Sequence, residues 1–184
     1  KTMKNKTIKN KNIQLINNYT LLEHSIFMAK KFFKNSNIYV STNSKKMISI
    51  ALKHEINFIK RPNHLCADNS KEWDSWKHAV GYLIKKDIKF EKILSLPTTS
   101  PLRKVIDIKK AINLSNTDCD GVISVSNSTR SPYWNMTKEN DLGYHSVLIQ
   151  DEKNYGKYIR RQNTPKNFNM TTVVYIAKKE YIKN

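Results

Sequence analysis

The sequence predicts an α/β fold with a mostly parallel sheet, helices on both of its faces and a polar insertion before the last strand. Helix-like and strand-like patterns alternate along the 184 residues. The strand candidates are short, continuous apolar runs, which are typical of parallel strands that are buried on both faces. Residues 130–166 interrupt this alternation with a polar, aromatic and weakly periodic stretch. Because the length suits one hydrophobic core, we treat residues 1–184 as a single domain.

The first half of the chain predicts three helices and two strands. Ile38–Ser41 and Asn57–Ile59 form the strands, and each helix is recognised from apolar residues three and four positions apart. We expect the third helix to be entered through Asn69, because Glu72 follows at the spacing of a capping box. The spacing of the two tryptophans in this helix predicts that they pack in the core and do not form a ligand-stacking surface. The apolar positions are Leu22, Ile26, Ala29 and Phe33 in the first helix, Ile48, Ala51 and Leu52 in the second, and Trp73, Trp76, Val80, Leu83 and Ile84 in the third.

The second half predicts three further strands and one helix. The strands are Lys92–Leu96, Gly121–Val125 and Thr172–Ile176, and the insertion separates the last two. The helix between the first two of these strands has its apolar positions at Ile108, Ala111 and Ile112.

The loop after the strand Lys92–Leu96 is the first candidate for a binding site. Its sequence, residues 97–103, is rich in hydroxyls, contains two prolines and ends in an arginine. In open α/β sheets, ligands bind beyond the carboxyl ends of the strands. Hydroxyls, backbone amides and a guanidinium bind phosphate or carboxylate better than they bind an apolar ligand. The polar stretches 41–44, 60–68 and 126–133 also follow strands, so we expect them at the same edge of the sheet.

Charge and cysteine content narrow the class of protein. The formal charge is +18, but the excess is nearly all lysine, which predicts a solvated surface. The arginines stand in separate strand-end loops, whereas a nucleic-acid-binding module would cluster them with aromatics on one face. No apolar run is long enough to span a bilayer, and Cys66 and Cys119 do not make a disulfide framework. We therefore expect a cytoplasmic protein without a membrane or nucleic-acid partner.

Seven short motifs follow one another in a fixed order along most of the chain. They are residues 6–13, residues 21–26, Val-Ser-Thr-Asn-Ser at 40–44, Arg61-Pro62 with Leu65, Ala67 and Asp68, Thr-Ser-Pro-Leu-Arg at 99–103, Ser-Pro-Tyr-Trp at 131–134, and Arg-Arg-Gln at 160–162 followed by Pro165. Each motif alone is a weak signal. The ordered set resembles the acylneuraminate cytidylyltransferases, the family of CMP-sialic acid synthetase. The resemblance implies a Rossmann-like nucleotidyltransferase fold.

The chain also departs from this family at several positions. The family's Ala-Arg-Gly-Gly-Ser phosphate loop belongs just before Lys6, where the sequence has no glycine. Pro97-Thr98 replaces Gln-Pro, Asn43 replaces an aspartate, and Thr171-Thr172 stands where sialic acid synthetases carry Asn-Gly near the sugar site. The family's metal-holding Asp-x-Asp segment would follow the last residue. We therefore expect a cytidylyltransferase-like domain that is truncated at both ends.

The resemblance implies transfer of CMP from CTP to the anomeric hydroxyl of an acidic, sialic acid-like 2-keto sugar, with release of pyrophosphate. Such chemistry depends on positioning and on cationic charge, so Mg²⁺ is the expected cofactor, with its ligands outside this chain. The implied site residues are Lys6 and Lys11 for catalysis, Asn12, Arg61, Ala67, Asp68, Thr99, Ser100 and Arg103 for the nucleotide, and Arg161 and Gln162 for the sugar.

Several alternatives stay open at this point. Arg103 is either a ligand contact or a structural residue paired with Asp107, and Asp68 is either a nucleotide contact or a helix cap. The alternative functions are a sugar-phosphate nucleotidyltransferase that uses another nucleotide, an inactive relative, and a basic nucleic-acid-binding protein. The expected partners are CTP and an acidic sugar, with a homodimer formed through the 130–166 insertion. The sequence does not assign the general base.

Overall fold

The structure, a computed structural model, describes residues 8, 10–67, 70–149, 158 and 160–184, with only the backbone of Arg161. The chain divides into two compact units. The first unit consists of Lys1–Ser124 and Thr172–Asn184, and the second unit is Val125–Thr171. All five helices found in the described ranges belong to the first unit: α1 Leu21–Lys30, α2 Lys45–Lys53, α3 Glu72–Lys85, α4 Val105–Leu114 and α5 Lys179–Lys183.

Strands alternate with these helices, which confirms the predicted α/β class. None of the helices in the described part is long and apolar enough to cross a membrane. The strands are β1 Leu15–Ile16, β2 Tyr19–Thr20, β3 Tyr39–Thr42, β4 Asn57–Lys60, β5 Lys92–Ser95, β6 Gly121–Asn127, β7 Thr137–Glu139, β8 His145–Val147 and β9 Phe168–Lys178.

Among the described pairings whose direction is given, β3–β4 is parallel, and β1–β2, β5–β9 and β7–β8 are antiparallel. β3 and β4 are parallel, with Tyr39 opposite Asn57. β9 lies between β5 and β6 and runs antiparallel to β5, with Lys92 opposite Lys178 and Ser95 opposite Tyr175. An apolar run does not encode the direction of its strand, so the sequence predicted the last strand but not its orientation.

Three apolar clusters make the core of the first unit, and each contains residues predicted from helical spacing. Helices α1 and α2 pack on β3, α4 packs on β9, and α3 packs on the end of β9 and on α5. Trp73 and Trp76 pack in the third cluster, with ring centroids 5.6 Å apart, which confirms their predicted role in the core. The buried members are Leu22, Ile26, Ile38, Val40, Ala51 and Ile56, then Ile108, Ala111, Val174 and Ile176, then Val80, Ala177 and Ile182.

Two helix predictions are wrong. α3 begins at Glu72 with Lys71 as its N-cap (φ −72°, ψ 136°), and no side chain caps it, because the lysine side chain has no hydrogen-bond acceptor. The predicted capping box at Asn69, a residue outside the described ranges, therefore does not match the helix start. Phe33 is not helical, because α1 ends at Lys30. A capping box with a side-chain acceptor at the N-cap is formed at α1. There the Thr20 hydroxyl accepts a hydrogen bond from the Glu23 amide at 3.1 Å.

Two glycines predict opposite effects of the same substitution. A Cβ at Gly121 would lie 2.9 Å from the backbone oxygen of Ile176, whereas a Cβ at Gly81 in α3 would meet nothing within 4 Å. We expect Gly121→Ala to lower the free energy of unfolding by about 1–3 kcal/mol, because backbone cannot give way easily. Gly81→Ala should raise it by about 0.5–1 kcal/mol, because alanine restricts the unfolded chain and favours the helix. Denaturant titration of both variants checks this, and a shift of the same sign in both would contradict the packing described here.

Candidate active site

The loop after β5 is held next to β9 by the register of the sheet. Ser95 pairs with Tyr175 in an antiparallel ladder. If this register is continued by three residues, the loop after β5 reaches the level of Thr172. There the Thr99 hydroxyl donates to the Thr172 hydroxyl at 2.9 Å, and the Ser100 and Thr172 hydroxyl oxygens are 2.7 Å apart. We call these three side chains the hydroxyl cluster.

The other side of the loop is tied to the turn near the start of the chain. The Thr98 hydroxyl donates to the Asn12 side-chain oxygen at 2.7 Å. Asn12 is half-buried in the 3-10 turn Lys11–Ile13, and Lys11 is exposed beside it. The structure thus places Asn12 next to the loop that carries Thr99 and Ser100.

Hydrogen-bond counting shows what the hydroxyl cluster can offer a ligand. Its three hydroxyl protons serve two bonds inside the cluster, so one O–H donor and several oxygen lone pairs remain for other partners. Thr99 is exposed, and Ser100 and Thr172 are half-buried. The cluster is therefore suited to a polar ligand that both donates and accepts hydrogen bonds.

Arg103 lies beneath this loop and is only 7% exposed. Its Nη1 donates to the Ser25 hydroxyl at 3.0 Å, and its Nη2 donates to the carbonyl of Pro97 and, at 3.5 Å, to the carbonyl of Thr172. Burial lowers the pKa of the guanidinium to about 10, so it stays charged at neutral pH. These contacts favour the structural alternative for Arg103.

The predicted pairing of Arg103 with Asp107 is not formed. The Asp107 carboxylate accepts from the backbone N–H of Lys104 at 3.4 Å instead. Arg103 points into the core toward α1, whereas Asp107 remains in the exposed first turn of α4. An i, i+4 spacing predicts an ion pair only when both residues belong to one helix, and α4 begins after Arg103 at Val105.

Arg61 is fixed at the ends of the two parallel strands. Its Nη2 donates to the Ser41 carbonyl at 2.9 Å, its Nε donates to the Ser41 hydroxyl at 3.3 Å, and its backbone N–H donates to the Thr42 carbonyl at 3.0 Å. Thr42 pairs with Lys60, so Arg61 stands just beyond the carboxyl ends of β3 and β4. This placement agrees with the expectation that strand-end loops gather functional groups.

The surroundings of Arg61 are positively charged. Burial lowers the pKa of His78 on α3, and the charges of Arg61, His64 and Lys85 lower it further. Such mutual repulsion indicates a positive potential at this end of β4, which attracts anions. The hydrogen bonds described do not join Arg61 to the hydroxyl cluster, so the two form separate contact sets.

The remaining predicted residues lie elsewhere or outside the described ranges. Ala67 is exposed, and its carbonyl accepts from Ser70 at 2.9 Å. Gln162 is exposed in the second unit, in the 3-10 turn Arg161–Asn163, and the Arg161 side chain is outside the described part. Lys6 and Asp68 are also outside it.

Sequence reasoning gave no individual role to three residues that contact the site: Thr172, Ser25 and Ser41. Thr172 was noticed only as a departure from a motif, and its partners depend on the antiparallel register of β9. Ser25 and Ser41 belong to recognised motifs, but a motif does not show that each serine binds an arginine far along the chain. Within the described residues, no group of three or more His, Cys, Asp or Glu side chains could hold a metal ion.

The fold of the chain is similar to the folds of two solved synthases. It superposes on 4-diphosphocytidyl-2C-methyl-D-erythritol synthase from Anaerococcus prevotii with a TM-score of 0.62 and 14% identity, over 92% of this chain and 64% of that one. CMP:2-keto-3-deoxy-manno-octonic acid synthetase, solved with CTP, gives a TM-score of 0.66 and 13% identity over 97% and 71%. At these identities the likeness shows the fold alone, and it confirms the predicted Rossmann-like nucleotidyltransferase fold.

The chain belongs to the cytidylyltransferase family, whose sequence profile matches residues 3–183. It is 31% identical to post-translational flagellin modification protein B of Campylobacter coli and 31% identical to CMP-N,N'-diacetyllegionaminic acid synthase of Campylobacter jejuni, in both cases over 96% of this chain and 74% of the relative. It is 29% identical to N-acylneuraminate cytidylyltransferase of Streptococcus agalactiae over 95% of this chain, and it spans 41% of that relative's length. The predicted family resemblance is confirmed.

Proposed function

We propose that this protein transfers CMP from CTP to the anomeric hydroxyl of an acidic 2-keto sugar and releases pyrophosphate. The observation that carries the proposal is the hydroxyl cluster above Arg103, which offers hydrogen bonds and a nearby positive charge beyond the end of β5. Family membership supports the cytidylyl group, and the names of the relatives support sugars of the legionaminic and neuraminic type.

The positively charged groups have distinct roles in this proposal. Arg61 is held rigid by Ser41 and binds the nucleotide, with Asn12, Ala67, Asp68, Thr99 and Ser100 as further contacts. Lys6 and Lys11 supply positive point charges that stabilise the negative charge developing on the pyrophosphate leaving group. Arg161 and Gln162 bind the sugar carboxylate, because a guanidinium donates two parallel hydrogen bonds to it.

Further parts of the proposal rest on the family alone. Dependence on Mg²⁺, a cytoplasmic location and a role in cell-surface polysaccharide synthesis complete the proposal. A homodimer through the insertion agrees with strongly exposed apolar side chains in the second unit. These are Leu142 and Tyr144, which are 79% and 70% exposed beside the β7–β8 hairpin.

The test is pyrophosphate release from CTP, UTP, GTP and ATP, each combined with sialic, legionaminic, pseudaminic or deoxy-octulosonic acid. With Mg²⁺ present, we expect release from CTP with at least one acidic sugar, and none from CTP alone. Release from another nucleotide with a sugar phosphate would favour the alternative transferase. No release with any pair would contradict the proposal, and a chelator control tests the metal requirement separately.

A further inference from the structure

We infer that Arg103 is a positioning residue, and that an anionic group of the substrate at the hydroxyl cluster supplies the counter-charge for its buried guanidinium. The inference rests on the proposed function and deepens it. The shared chemistry is an anion, which is either a phosphate of CTP or the carboxylate of the acidic sugar. Arg103 itself does not touch the substrate in this account.

The first observation is a charge without a described counter-charge. Arg103 is 7% exposed, and among the described carboxylates none lies within ion-pair distance of it. Its Nε is buried and finds no hydrogen-bond partner in the described part of the chain. Buried charges in proteins are nearly always paired, because removing them from water is costly. We therefore expect the counter-charge of Arg103 to come from a group other than the described protein atoms.

The second observation is where the guanidinium directs its hydrogen bonds. Nη2 donates to the carbonyl of Pro97, in the loop that carries Thr99 and Ser100, and to the carbonyl of Thr172, the member of the hydroxyl cluster on β9. Nη1 donates to the Ser25 hydroxyl and so anchors the group to α1. Arg103 thus ties the loop to β9 at the point where their hydroxyls meet.

A charge in this position acts on a ligand that it does not touch. Electrostatic interactions extend further in the low-dielectric interior than in water, and salt screens them less. An anion on the hydroxyl cluster would feel Arg103 through the polarised Thr172 carbonyl and hydroxyl. A role limited to bracing the loop would depend on the forked shape of the guanidinium and not on its charge, which allows the two roles to be separated.

The experiment compares Arg103→Lys with Arg103→Gln in the full chain. Both variants lose the fork, but only lysine keeps the positive charge. Calorimetry measures binding of CTP, pyrophosphate and N-acetylneuraminic acid, and thermal unfolding reports stability. Lys92→Met is the control, because it also removes a positively charged side chain that donates to a backbone carbonyl, in this case that of Ser115. Lys92 begins β5 and so lies at the opposite end of this strand from the loop.

We expect Arg103→Gln to bind at least one of these anions about tenfold or more weakly than Arg103→Lys, a difference of about 1.4 kcal/mol, at similar thermal stability. This difference should persist at high salt, and Lys92→Met should bind normally. Weakening for CTP and pyrophosphate assigns the anion as phosphate, and weakening for the sugar acid assigns it as carboxylate.

Other outcomes overturn the inference. Equal binding by the lysine and glutamine variants, or failure of both to fold, would leave Arg103 as a structural brace only. An unmodified protein that binds none of the three anions would also overturn it. Binding is measured without turnover, so a protein that binds pyrophosphate in an Arg103-dependent way but makes no product would refute the proposed function and leave this inference standing.

Discussion

Replacing Arg61 with methionine is expected to weaken CTP binding by about tenfold to a hundredfold, because hydrogen bonds to charged groups contribute about 1.5–3 kcal/mol each. The guanidinium is already fixed by Ser41 at 2.9 Å and 3.3 Å, so it meets the nucleotide without a further loss of side-chain freedom. The KM for the sugar should stay within about twofold, since the proposed function assigns the sugar carboxylate to Arg161 and Gln162 and not to Arg61.

Lys60→Met is the matched control for Arg61→Met. Lys60 is the preceding residue, is exposed and carries the same charge, so its loss changes the net charge equally. Steady-state kinetics with CTP and sugar varied in turn gives both KM values. Equal losses in the two variants would show that Arg61 contributes only general surface charge, and an unchanged KM for CTP in a folded Arg61→Met protein would refute its nucleotide role.

Glu23→Gln is expected to cause a large loss of stability in the first unit. The carboxylate is 6% exposed at the start of α1. It accepts from the Thr20 amide at 2.8 Å and the Thr20 hydroxyl at 2.9 Å, and it lies 3.0 Å from His54 Nε2. Burial raises its pKa, but these hydrogen bonds and the charge of Lys53 outweigh burial and lower the pKa from 4.5 to about 2.

The lowered pKa fixes how this loss depends on pH. A carboxylate whose pKa is lower in the folded state stabilises the fold above its unfolded pKa, and that contribution disappears as the pH falls from 4.5 to about 2. The shift corresponds to about 3 kcal/mol near neutral pH, so Glu23→Gln should lower the free energy of unfolding by about 2–3 kcal/mol there.

Denaturant titrations from neutral pH down to the acid range check the Glu23 prediction. The gap between the variant and the unmodified protein should narrow on acidification. Glu55→Gln, an exposed carboxylate just after α2, is the control and should change stability by less than about 0.5 kcal/mol. A gap for Glu23→Gln that is constant with pH would show that the carboxylate charge does not stabilise the capping box.

The sequence was sufficient for the fold class because helix and strand periods are local signals. The core positions Ile26, Ala51, Ile108 and Val80 follow from spacing along single elements. Strand direction is different, since it depends on how a distant segment returns to the sheet. The antiparallel pairing of β9 with β5 could therefore not be predicted from the sequence.

The same limit explains which parts of the site were predicted. Thr99, Ser100 and Asn12 belong to motifs that can be recognised in order, and their loop and turn do lie together. Thr172 joins them only through the register of β9. Arg103 is buried, and Ser25 on α1 accepts one of its hydrogen bonds. A contact between two polar residues far apart in sequence leaves no periodic trace in either segment.

The most direct test of the central claim follows the α-phosphate of CTP. CTP labelled at that phosphate is incubated with the protein, Mg²⁺ and the acidic sugar that supports pyrophosphate release, and the products are separated. We predict that the label appears in a CMP–sugar conjugate and that the released pyrophosphate carries none. Label in pyrophosphate, in free CMP without a sugar conjugate, or only in unreacted CTP would contradict attack of the sugar hydroxyl on the α-phosphate.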